Sequence, residues 1–123
     1  MSARLLLAPR GIPARLVKTL ARLIEDPAAP MPIYPMLVVE QVTSRPWSSA
    51  TFDGERHRLD LRLHGDAQTV GDALDRLIAT LPDAEFEIPG QIVAEARLVS
   101  LSVDPDPNVA ALALVIEVLT VVD

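Results

Sequence analysis

The chain has 123 residues, half of them hydrophobic, with a formal net charge of −6 and no cysteine. That length supports a single domain, 1–123, around one core, and the missing thiols exclude disulfides, thiolate metal sites and cysteine nucleophiles together. Charge is polarised: residues 1–24 hold five bases (Arg4, Arg10, Arg15, Lys18, Arg22) and no acid, while all seventeen acids and the other six bases lie beyond.

In chain order, residues 1–11 read as an arm, mobile or engaged in interaction. A first helix is expected from near Pro13, since proline is tolerated in a first turn. Leu16, Leu20, Leu23 and Ile24 form its apolar stripe, and Pro27 ends it. Arg10, Arg15 and Arg22 are candidate interface residues, because a basic arm on an acidic body suits contact with a neighbouring copy or another charged protein. A solvated polar helix face explains them equally well. Ala28 to Pro35, with three prolines, is an extended connector. A strand over about Met36–Val42 then leads through a long hairpin loop, 44–54, to a second strand, Glu55–His64. That strand alternates without error: Arg56, Arg58, Asp60 and Arg62 point one way, and His57, Leu59, Leu61 and Leu63 the other.

Asp66 can cap a second helix, Ala67–Leu81, whose buried face is Val70, Leu74, Leu77, Ile78 and Leu81; Pro82 stops it. A third strand, about Ile92–Val103, reaches a turn at Asp104–Asn108 and a fourth strand, Val109–Val122. Leu112, Leu114 and Ile116 there alternate with Ala111, Ala113 and Val115, so both faces are apolar. Such a strand is central, or its second face meets another subunit. The order α-β-β-α-β-β with two hairpins implies an α+β fold, a four-stranded antiparallel sheet with helices packed on one face. Pro9 and Arg10 cut the first apolar run short of a signal segment, and the run to Val122 is interrupted by Glu117 and too short to span a bilayer. A soluble protein is expected.

The loop is the most informative stretch. Thr43-Ser44-Arg45-Pro46-Trp47-Ser48 carries the only tryptophan, and Phe52-Asp53-Gly54 one of two phenylalanines, amid polar, turn-forming residues. Large rings held away from a core read as a contact surface, which makes Arg45, Pro46, Trp47, Phe52 and Asp53 candidate interface residues. No catalytic constellation accompanies them. His57 and His64 point to opposite faces roughly 23 Å apart at about 3.3 Å per residue, too far to share a metal. On the leucine face, His57 reads as a hydrogen-bonded core or edge histidine, and Asp60 as an ion-pair partner of Arg58 or Arg62. The acid pairs Asp104/Asp106 and Glu85/Glu87 lack further ligands for calcium. Five scattered glycines build no phosphate loop, and no serine sits in a nucleophile motif. Neither an enzyme nor a cofactor or metal site is expected. Autonomous nucleic-acid binding is not expected either, because no basic stripe or aromatic ladder continues into the body.

Tyr34-Pro35-Met36-Leu37-Val38-Val39, Thr43-Ser44-Arg45-Pro46-Trp47-Ser48 and Asp53-Gly54 ahead of His57-x-Leu59-x-Leu61 resemble the small tail-completion proteins of siphophages and gene transfer agents. The similarity continues through Ile88-Pro89-Gly90, Arg97-Leu98-Val99-Ser100-Leu101 and Asp104-Pro105-Asp106, covering about residues 33–123. The first helix and its basic arm have no counterpart in it. The resemblance implies a tail terminator in a virion or gene transfer agent particle, assembled in the bacterial cytoplasm. Its protomers would form a hexameric ring that caps the major tail tube protein and joins the head–tail connector or stopper. DNA would pass the lumen without specific binding, and no membrane would be involved. A head–tail stopper or adaptor ring is the near alternative. A small ligand-binding regulatory module is the distant one, disfavoured because nothing polar converges between helices and sheet.

Overall fold

The computed structural model describes residues 3–5, 11–25, 36–103 and 111–123. In chain order the elements are β1 (Ala3–Leu5), α1 (Ile12–Leu23), β2 (Met36–Ser48), β3 (Asp53–His64), α2 (Ala67–Thr80), a 3-10 turn at Leu81–Asp83, β4 (Gln91–Val103) and β5 (Ala111–Val122). From α1 onward this is the α-β-β-α-β-β order, and β2 to β5 form an antiparallel sheet. One strand is added to the expected four. Ala3–Leu5, read from sequence as part of an arm, pairs in parallel with Leu37–Val39 and extends the sheet to the order β1-β2-β3-β5-β4. Arg10, the connector over 28–35 and the turn over 104–108 lie outside the described residues.

The helices form for local reasons. Pro13 sits in the first turn of α1 behind Gly11, whose φ of 63° favours glycine. In α2 the Asp66 carboxylate accepts from the Thr69 amide at 2.9 Å and from the Thr69 hydroxyl at 2.6 Å. This cap supplies an acceptor for a donor that the helix itself leaves unpaired, and the two hydrogen bonds hold the Asp66 carboxyl below its ordinary range. Arg76 donates from Nε to the Ile24 carbonyl at 3.2 Å, so one helix's guanidinium closes the C-terminal end of the other.

The core lies between the helices and the inner face of the sheet: Leu16, Val17 and Leu20 from α1 with Ile24 at its C-cap, Val70, Ala73 and Leu77 from α2, and Leu37, Val39, Leu59, Leu61, Leu63, Leu114, Ile116 and Val118 from the strands. Two assignments to the α2 face change. Ala73 replaces Ile78, which is half exposed, and Leu74 is only partly buried. A helical stripe extended by one residue passes the edge of what the sheet can cover.

Bulges re-aim β2 and β4. An extra residue at Glu40 lets Val42, not Gln41, follow Val39 onto the inner side, and register shifts at Val93/Glu95 and Leu98/Ser100 do the same in β4. On the outer face, Leu119 and Val121 of β5 are nonetheless buried. Their cross-strand neighbours are Arg56 and Glu95 for Leu119, and Gly54 and Ile92 for Val121. Long side chains can cover apolar neighbours with their stems. The doubly apolar pattern of this strand therefore reflects its place between β3 and β4, and cover within the chain accounts for part of its second face.

Candidate interaction surfaces

The expected long hairpin loop is mostly ladder. Pairing runs without a break from Gln41↔Asp60 to Ser48↔Asp53, and only 49–52 form the tip. There the Ser49 amide donates to the Phe52 carbonyl at 2.8 Å, and the Phe52 amide donates to Ser49 Oγ at 3.0 Å. Sequence reading missed this because Ser, Pro and Arg carry little strand propensity, yet β3 offers a partner for each residue. Pro46 is tolerated because β1 pairs only as far as Val39, which leaves this part of β2 an edge.

Trp47 is half-buried on the outer face opposite Gly54, whereas Phe52, 52% exposed, stands at the tip with Asp53 exposed beside it. Gly54 has a steric reason: a Cβ built there would lie 1.9 Å from the Thr120 carbonyl oxygen. The hairpin and β5 therefore approach more closely than any side chain permits.

Arg45 pairs across the ladder with Arg56, and the two line a depression of about 140 Å3 with Thr43, Arg58 and Glu117. The other charges of the outer face, including the Arg58 and Glu117 of this depression, are paired: Arg58 with Asp60 at 3.4 Å, Arg62 with Glu40 at 2.7 Å, and Arg97 with Glu95 at 3.0 Å and Glu117 at 3.3 Å. Among the described residues neither Arg45 nor Arg56 has an ion pair or side-chain hydrogen bond. Arg15 and Arg22, with Lys18, are exposed on α1, in the layer on the opposite side of the sheet from Trp47 and Arg45. The candidate interface residues thus divide between two faces. Pro46 is exposed at the hairpin edge.

His57 is fully buried. Its Nδ1 lies 2.7 Å from Ser44 Oγ and its Nε2 3.0 Å from Thr120 Oγ1. The Thr120 hydroxyl donates to the Glu55 carbonyl at 3.5 Å, so it accepts from Nε2–H, and Nδ1 accepts from Ser44. Burial lowers the histidine's pKa from its ordinary value, opposed by the Glu55 carboxylate. A hydroxyl, not a carboxylate, is hydrogen-bonded to each ring nitrogen, unlike the carboxylate that orients the histidine of a hydrolytic triad, and Glu55 favours the charged ring only through space. The group is a polar clamp tying β2, β3 and β5 together. Among the described residues no three His, Asp or Glu side chains gather where they could hold a metal ion, and no helix is long and apolar enough to cross a membrane.

Among the described elements both helices lie on one side of the sheet, and the other side carries the arginines without ion pairs and the tryptophan. The family model for tail completion protein gp17 matches residues 7–123, and the chain belongs to that family. Its role is therefore structural, in a phage tail, in association with other tail components. The match begins before α1, so the first helix, absent from the resemblance read in the sequence, belongs to the family's unit. No curated protein matches the chain.

Proposed function

We propose that this protein is the tail terminator: a closed ring of copies, six by the resemblance, that binds the upper end of the finished tail tube and offers the head's connector a different surface. The observation that carries this reading is the family match over nearly the whole chain. The exposed part of the outer face supports it, because among the described elements both helices pack on the other side, and the hairpin from Arg45 to Asp53 offers exposed residues to a neighbour or to the tube. A ring suits the task, since its lateral contacts repeat around the axis while its two ends differ. The net charge of −6 per chain would let DNA pass a lumen without being held by its phosphates.

Deleting the gene should leave filled heads without tails, beside free tails that are overlong or unfinished at the upper end, as seen by electron microscopy of the lysate. Heads bearing normal-length tails would rule the role out. Correct-length, capped tails that fail only to attach would move the protein to the stopper position.

A further inference from the structure

Among the described residues an arginine pair and an acidic tract without ion pairs lie on opposite sides of the sheet. On the outer sheet face, Arg45 and Arg56 stand directly opposite each other, neither with an ion pair among the described residues, an arrangement that destabilises an isolated sheet. On the helical side, Asp72 and Asp75 of α2 and Asp83, Glu85 and Glu87 just after it are all exposed. Among the described residues none of these five acids has an ion pair. The nearest base in sequence, Arg76, is occupied with the Ile24 carbonyl.

We propose that the Arg45–Arg56 pair, in the depression whose other charged lining groups, Arg58 and Glu117, are already paired with Asp60 and Arg97, receives the acidic α2 tract of a second copy, and that this contact drives self-association of the chain in solution. The inference rests on the ring reading above and names the surfaces that would build the ring. Three observations select a second copy as the occupant. The charges are complementary. The half-buried Trp47 lies on the same face two residues from Arg45, which gives a protein surface an apolar contact beside the ionic one. The two patches also occupy opposite layers, so joining them is head-to-tail, the geometry that closes rings. The basic residues of α1 are a poorer complement for the acids. Arg15, Lys18 and Arg22 lie in the same layer as α2, and mating those two stripes between copies would favour a two-fold dimer. A duplex partner fits the arginines but not the acidic remainder of the molecule.

The test is sedimentation of the purified chain at low ionic strength, for the wild type, Arg45→Glu/Arg56→Glu and Asp72→Arg/Asp75→Arg, with folding followed by circular dichroism. Each reversed variant should lose at least about tenfold in association constant, as truncation or reversal of close charge pairs does at other interfaces. Arg45→Gln/Arg56→Gln should lose less. Salt should weaken the wild type by screening. An equal mixture of the two reversed variants should recover assembly, because in an alternating ring every contact again joins opposite charges. A mixture that does not recover, or a wild type that stays monomeric at low salt, overturns the proposal. So does rescue of Asp72→Arg/Asp75→Arg by Arg15→Glu/Lys18→Glu/Arg22→Glu, which would give the acids to α1. Loss of retention on a DNA duplex by Arg45→Glu/Arg56→Glu with self-association unchanged also overturns it. Reversed variants that fail to associate yet still complete tails would leave the terminator reading without this contact in the particle. A gene dispensable for tail completion would remove the terminator reading, while the contact stands or falls on the sedimentation alone.

Discussion

Gly54 and Gly71 are the same residue under opposite constraints. At Gly54 an added methyl group would meet the Thr120 backbone, whereas at Gly71, inside α2, nothing lies within 4 Å. Gly54→Ala should therefore destabilise by about 1–3 kcal/mol, the range for overpacking. Gly71→Ala should stabilise by about 0.4–1 kcal/mol through helix propensity and a less flexible unfolded chain. Thermal unfolding of both reads the difference, and equal shifts would refute the close approach of the hairpin to β5. His57 makes a second prediction. Its pKa is lowered in the folded state, so the unfolded chain takes up a proton first as pH falls. The stability it contributes is complete above its ordinary value near about 6.5 and declines as pH drops through the lower folded value. Denaturant unfolding across that range should show the loss in the wild type and a smaller one in His57→Gln. A pH-independent difference between them would mean that the clamp accommodates the charged ring.

The strand β3 carries the clearest contrast between its two faces. Leu61 is 2% exposed between Val39 and Leu114, while Arg62 lies on the outer face with Glu40. Leu61→Ala should cost about 2–5 kcal/mol through lost burial and the cavity left behind, and Arg62→Ala under about 1 kcal/mol, as for a surface ion pair. Equal shifts in the unfolding midpoint would reverse the assignment of faces. The neighbouring strands obey the same alternation only after correction by their bulges. In β4 the inner positions fall at Val93, Ala96, Leu98 and Leu101, an irregular spacing that a strict period of two cannot produce. That is why β3 is readable from the sequence residue by residue and β4 only as a strand.

At the scale of the molecule, the two described helices cover one side of the sheet, and the other side carries ion pairs, the Arg45–Arg56 pair and the tryptophan. Trp47 should act mainly between molecules. Trp47→Ala is expected to weaken ring or tail assembly by at least about 2 kcal/mol, the scale of an aromatic anchor. Its effect on the folded chain should be smaller, since the indole is half-buried on the outer face and not in the core. Assembly of normal tails by the variant would make the ring idle, and unfolding of the isolated chain would make it structural.

Periodicity alone determined the α+β class, the element order, the inner face of β3 and the cap of α2, because each depends on residues close in sequence whose spacing is set by the helix or strand repeat. The buried, hydrogen-bonded state of His57 was legible from its place among the leucines, though its partners Ser44 and Thr120 were not. Only the tertiary structure decided that Ala3–Leu5 joins the sheet, that 43–48 extends a strand instead of forming a loop, that Ile78 faces solvent, and that Arg45 meets Arg56 across the ladder. These depend on which partner a backbone finds at long range and on where one layer ends above another. Strand pairing supplies hydrogen-bond partners to residues of low intrinsic propensity, and a three-residue strand or a polar hairpin carries no periodic signal of its own.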